Sequence, residues 1–286
     1  MVSVSDWMEE AATDLWSCGI ERGFCMGKFI EIFWWNCKLN MAKSMAYRLD
    51  FCIGLCVNLL IACAGPIFQY LLFSQVNGYP GWTMQEIVFF QGMLLLILGL
   101  RNLLFGNVAS YVQNLIYEGS LDQLLLRPYS SIGMILANGF SLDGMGTVAA
   151  GVVISMVAML RMHLLPPWYL WILTALSIIV SLLFFVAFDI FLASVMIRLV
   201  QIGRLNEMFD TIAKFGQYPL EVYPKGMRLL FSTLIPFAVW INIPCKIFLH
   251  GLQTYMIVPV VCVVLILLLS LCGWNRCMKH YTSAGG

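Results

Sequence analysis

The segment E-G-S-L-D-Q-L-L-L-R-P-Y, residues 118–129, lies between two hydrophobic runs that are each long enough to cross a bilayer. A plain connector would need neither Gly119 nor Asp122 nor the Arg127-Pro128 step. Gly119 can break the helix before it, Leu121 and Leu124 to Leu126 can form a short apolar face, and Pro128 can stop that piece before the next span. Glu118, Asp122 and Arg127 then supply polar contacts, either to a partner or to the span ends. The side of the membrane on which this segment sits decides how the rest of the chain is threaded.

Composition identifies the solvent. Of 286 residues, 61% are hydrophobic and only 11% charged, against about 25% charged in soluble domains. The chain reads as an all-α integral membrane protein. Sixteen Lys and Arg balance fifteen Asp and Glu, so there is no basic face for nucleic acid and no acidic tail. The ten cysteines fall mostly in apolar runs without C-x-x-C spacing, which suggests neither a disulfide framework nor a metal site. The acidic opening M-V-S-V-S-D-W-M-E-E does not resemble a cleaved signal peptide.

Residues 1–27 read as a polar cytoplasmic extension. Residues 28–48 mix Phe29, Ile32, Phe33, Leu39 and Met45 with Lys38, Lys43 and Arg48, the pattern of a helix lying in the membrane interface. Residues 49–73 form the first predicted span, with Gly65-Pro66 as a kink. The loop over 74–85 has no Lys or Arg, which places it outside and the N-terminal side in the cytoplasm. Residues 87–107 return the chain inward, so the segment over 108–137, with 118–129 at its centre, is cytoplasmic. The third span, 138–160, is rich in small residues (Gly139, Gly144, Gly146, Ala149, Ala150, Gly151) that let helices approach closely. A short external turn with Arg161 leads to a fourth span over 168–196, and the last span covers 254–274, followed by Arg276 and Lys279.

Two arrangements compete between the fourth and last spans. In one, residues 199–216, with Arg204, Glu207, Asp210 and Lys214, lie on the cytoplasmic surface and 227–249 crosses. In the other, 199–218 crosses and 227–249, broken by Pro236 and Pro244, is a re-entrant hairpin dipping from outside. Charge counting favours the first, because each intramembrane charge costs roughly 2.5–3.5 kcal/mol. Either way the reading is six spans with both termini in the cytoplasm.

Chemistry is sparse. No G-x-x-x-x-G-K-[ST] phosphate loop occurs, so ATP, if used, binds to another chain. His163, His250 and His280 are far apart with no acid at metal-ligand spacing, and no serine sits in a G-x-S-x-G elbow. An enzyme is disfavoured. More informative are Arg101, Asp143 and Asp189, which enter hydrophobic runs near a common depth. An intramembrane ionisable residue normally has a partner, so Arg101 is expected to pair with Asp143 or Asp189.

At residues 118–129 the chain resembles the G-x-L-D-x-x-L-L-R-P signature of the permease subunits of prokaryotic type-2 ABC exporters (ABC-2 family transporter proteins). Two further stretches are similar to that family: A-Y-R-L-D-F at 46–51, and Y-P-L-E-V-Y-P-K-G-M-R at 218–228 followed by L-I-P-F-A-V-W-I-N-I-P at 234–244. The resemblance implies a six-span subunit in the inner membrane. It implies pairing with a second copy or a paralogous permease, and with separate ABC ATPase subunits that bind ATP and Mg. It also implies a proline-marked external and re-entrant segment, matched here by Pro219, Pro224, Pro236 and Pro244, which favours the second arrangement. Substrate does not carry over. The N-terminal extension, the cysteine content and Phe33-Trp34-Trp35 depart from the family's pattern. A secondary transporter or channel, which would show inverted repeats or midplane charges on broken helices, and a non-transporting scaffold are the alternatives.

Overall fold

The computed structural model of the chain describes residues 26–46, 48–75, 79–126, 130–164, 166–199, 214–233 and 238–279. It is helical throughout, with no strand among the described residues. In chain order the helices are α1 (Met26–Ala46), α2 (Arg48–Gln75), α3 (Met84–Phe105), α4 (Val108–Tyr117), α5 (Leu121–Leu125), α6 (Ser131–Ala137), α7 (Gly144–Met162) and α8 (Trp168–Leu199). After two short 3₁₀ turns (Lys214–Gln217 and Leu220–Val222) come α9 (Lys225–Thr233), one π-helical turn (Ala238–Asn242) leading directly into α10 (Ile243–His250), and α11 (Ile257–Lys279). Among the described residues five stretches are long and apolar enough to cross a membrane: Phe51–Gln75, Met84–Tyr117, Gly144–Met162, Trp168–Arg198 and Thr254–Lys279.

Local chemistry sets the helix ends. Thr83 opens α3 with a capping box: the Glu86 amide donates to Thr83 Oγ1 at 3.3 Å and the Thr83 amide donates to Glu86 Oε2 at 2.8 Å. α2 runs on through Pro66, where the sequence suggested a kink. The third span begins at Gly144 rather than at 138, because residues 138–143 form a turn held by the Ser141 amide donating to the Leu103 carbonyl at 3.0 Å.

The tightest pairing joins α3 and α7, which run antiparallel. A Cβ at Gly92 would lie 2.6 Å from the Ser155 nitrogen, and one at Gly99 2.6 Å from the Val148 nitrogen. From the other side, a Cβ at Gly151 would lie 2.4 Å from the Leu96 nitrogen, and one at Gly144 2.5 Å from the Leu103 nitrogen. The four glycines therefore put backbone against backbone, the contact that substitutes for hydrophobic driving force between helices in lipid. α2 lies parallel to α7, with Ala62 packed with Leu95 and Ala150 and the Leu55 carbonyl facing Gly146.

α11 lies parallel to α8. Val263 shares a cluster with Phe184 and Phe185, while Trp274 packs with Ala193, Met196 and Ile197 further along both helices. The Cys277 thiol donates to the Ser194 carbonyl at 3.1 Å. One end of the bundle thus holds the last turns of α3, α8 and α11 together with α4, α5 and α6. The opposite end holds the α2–α3 turn and the start of α8.

Candidate functional site

The segment that opened the sequence analysis lies at the first of these ends. α4 is amphipathic, with Val108, Val112 and Leu115 buried. It stops at a turn in which Gly119 takes φ +65°, a left-handed conformation that an L side chain adopts only under strain. α5 follows at once. Leu121 and Leu124 are buried in one apolar cluster with Val108, Val112 and Leu115 of α4, Val186, Ile190, Ala193, Met196 and Ile197 of α8 and Trp274 of α11. Leu125 and Leu126 do not complete that face as the sequence suggested. At about 100° per residue Leu125, one turn after Leu121, lies at the edge of the 121/124 row and is 38% exposed, while Leu126 points away from that row and is 85% exposed. Beside it Tyr117 is 69% exposed, and Glu118 and Gln123 also face outward. Asp122 is half-buried. Arg127 and Pro128 lie outside the described residues, and α6 restarts where the Gly133 amide donates to Ser130 Oγ at 3.2 Å.

α1 packs on this assembly through Ile32, and one carbonyl adds a polar tie. The Phe140 oxygen accepts from Asn40 Nδ2 at 3.1 Å and from Asn107 Nδ2 at 2.9 Å, and the Phe140 ring meets Phe33 edge-on. On the outer face of α1, Lys38 sits over Trp34 and Trp35 at 5.9 and 5.4 Å from their ring centres.

Of the three intramembrane charges, two meet. Arg101 Nη2 lies 3.3 Å from Asp189 Oδ1, joining α3 to α8, and the guanidinium stacks 5.3 Å above the Phe185 ring. Asp189 is buried. Asp143 is not part of the pair. It stands exposed at the start of α7, where Ser141 Oγ donates to its Oδ2 at 2.9 Å and Asn58 Nδ2 donates to its carbonyl at 3.4 Å. Level with residues 99–103 of α3, it is kept from the pair by its place in the exposed 138–143 turn, with Ser141 and Asn58 as its partners.

At the opposite end Glu221 is a junction. Its carboxylate accepts from Trp82 Nε1 at 3.0 Å and pairs with Lys246 of α10, while its carbonyl accepts from Arg228 Nη2 of α9 at 3.2 Å. Burial pushes the carboxyl up, but the Lys246 hydrogen bond and charge and the Trp82 indole outweigh it, so Glu221 sits below its ordinary value. His250 Nε2 stands 3.8 Å from Glu86 Oε1, and Asn242 Oδ1 accepts from the Leu220 amide at 3.2 Å. Pro219 is buried just ahead of the second 3₁₀ turn, Pro224 is exposed just ahead of α9, and Pro244 is buried in the first turn of α10. Pro236 lies outside the described residues, as do Arg204, Glu207 and Asp210. Trp240, in the π-helical turn, is wedged against Phe184, Phe185 and Gly216.

Sequence reading missed Glu221, Lys246, Trp82 and the α3 glycines. The seven-residue step from Gly92 to Gly99 mirrors that from Gly144 to Gly151, a signal visible in the sequence. Among the described residues no three His, Cys, Asp or Glu side chains gather as metal ligands would. Comparison with curated proteins and with solved structures gives no match. The sequence pattern described as ABC-2 family transporter protein matches residues 59–285, which takes in the first candidate span from residue 59 onward, the other four entirely, and the whole segment at the α4–α6 end. The chain therefore belongs to the ABC-2 transporter family and is a transmembrane permease component of an ABC transporter.

Proposed function

We propose that this chain is the membrane subunit of an ATP-driven exporter of the inner membrane, moved by a separate ABC ATPase that docks on α4 and α5. The observation that carries the reading is the two-sidedness of that segment. One face is buried on the ends of α8 and α11, and the other leaves Tyr117, Leu125 and Leu126 bare beside Glu118. A push on the bare face reaches two long helices directly. The ATPase carries ATP and Mg, and this chain supplies the path and the lever.

The same reading orients the molecule. The basic residues Arg198, Arg276 and Lys279 mark the α4–α6 end as cytoplasmic, and the α2–α3 loop, without Lys or Arg, as external. Because α8 and α11 run parallel, the chain between them returns from one end of the bundle to the other. α9 spans about 13 Å and the 238–250 stretch about 20 Å at 1.5 Å per residue, each short of the ~30 Å core. They serve as the re-entrant pair dipping from outside, which leaves the sixth crossing to the stretch over 199–218, most of which lies outside the described residues. The α2 surface, exposed over most of its length, faces lipid and the second permease, a copy or a paralogue.

The test is co-purification of this chain from its native membrane with a P-loop ATPase. Leu126→Asp removes an apolar anchor of about 1.5–3 kcal/mol and is expected to weaken association roughly tenfold to a hundredfold, leaving the bundle intact. Undiminished recovery of the ATPase with Leu126→Asp would place docking elsewhere.

A further inference from the structure

We propose that Glu221 is an outer latch: its contacts with Trp82 and Lys246 hold α10 against the α2–α3 turn, and breaking them lets α10 swing open about Gly251. Three separate segments end on this one residue. Trp82 comes from the turn ahead of α3, Lys246 from α10, and Arg228 from α9. The segments it ties are short helical pieces: α9 is exposed over residues 225–230, while α10 is also seated on the core through Phe248, which stacks on Phe89 and meets Trp171 edge-on.

The chemistry of the pair suits a switch better than a permanent brace. Lys246 and Glu221 have side chains only 19% and 24% exposed, and a desolvated ion pair holds no advantage over a well-packed apolar pair of the same volume. What it offers instead is dependence on water. In the dry closed arrangement the two charges attract strongly, and once water enters the mouth each ion recovers its hydration and the attraction falls. The hinge is present as well. α10 ends at Gly251, which takes φ +78° with nothing within 4 Å of where a Cβ would be. His250, one residue before the hinge, rests loosely on Glu86 at 3.8 Å. Inward along the same segment, Trp240 packs against Phe184, Phe185 and Gly216, and Phe185 in turn faces the Arg101 guanidinium, so a swing of α10 loosens the packing beside the Arg101–Asp189 pair. That the opening serves transport rests on the permease reading above. The existence of the latch does not.

Two native thiols make the latch testable in the full chain. Cys245, next to Lys246, is fully buried, and Cys37, buried in α1 at the far end of the bundle, reports general loosening. With the other cysteines replaced by serine or alanine, the protein is placed in lipid nanodiscs, where both faces meet solvent, and the rates of modification by a maleimide are compared. Glu221→Gln and Trp82→Phe are each expected to speed Cys245 labelling by about tenfold or more with Cys37 unchanged, and Lys246→Arg to leave both rates as they were. If Cys245 stays slow in Glu221→Gln and Trp82→Phe, or if Cys37 accelerates in step with it, there is no latch. If Glu221→Gln does not assemble, Trp82→Phe, which removes the indole donor and keeps an aromatic ring against Phe90, decides the matter through Cys245 with Cys37 as the check on general loosening.

Discussion

Gly151→Leu is expected to prevent assembly of the bundle, and Gly151→Ala to weaken it by about 1–3 kcal/mol or more, measured as the monodisperse fraction surviving graded heating in detergent. A Cβ at 151 falls 2.4 Å from the Leu96 amide nitrogen and 2.8 Å from its Cα, both backbone atoms that cannot rotate aside. The only relief is to move α3 away from α7. That would break the register at Gly144, Gly99 and Gly92 together, since all four glycines serve one antiparallel contact. Packing in lipid has no hydrophobic term between helices to fall back on. Gly54→Ala, on the open side of α2 with nothing within 4 Å, is the matched control and is expected to survive heating like the parent. Equal survival of the 151 and 54 variants would mean the α3–α7 contact does not hold the fold.

The second large effect concerns the charge pair. Asp189→Leu leaves the Arg101 guanidinium without its carboxylate, and breaking such a pair costs about 3–5 kcal/mol. Arg101→Met alone leaves a buried carboxylate and is expected to cost a similar amount. The double variant Arg101→Met with Asp189→Leu should recover most of the loss, because removing both charges removes both desolvation penalties. Asp143→Leu is expected to behave differently, with a small effect and no coupling to Arg101, since its carboxylate bonds only Ser141 in an exposed turn. Strictly additive losses for Arg101 and Asp189 would show that the two do not act as a pair. Coupling of this kind matters for the proposed function because Asp189 lies on α8 beside Val186 and Ile190, the residues on which the docking segment rests.

Much of this was legible in the sequence, and the failures have physical causes. The spans at α2, α3, α8 and α11 followed from apolar length alone, because a bilayer demands about twenty residues whatever the fold. The start of α7 was misplaced although 138–143 reads N-G-F-S-L-D, because the turn there is set by two distant asparagines, Asn40 and Asn107, meeting at one carbonyl. Pairing was half legible: Arg101 needed an acid, but depth counted along the chain could not separate Asp143 from Asp189 while the start of α7 was misplaced. Gly119 as a helix stop was readable from residue type, whereas the split between Leu124 and Leu126 depended on which side α8 occupies. Glu221 was hidden for a different reason. Its three partners come from segments up to 139 residues away in sequence, and nothing local distinguishes a carboxylate in a junction from one in water.

The central claim is that the face bearing Leu126 meets the ATPase. Photo-cross-linking in cells tests it most directly, with benzoylphenylalanine placed at position 126 and, as the opposite-end control, at Leu230, which is exposed on α9. The account predicts an ultraviolet-dependent product from position 126 that mass spectrometry identifies as this chain joined to a P-loop ATPase, and no such product from position 230. A P-loop ATPase captured from position 230 and not from 126 would contradict it.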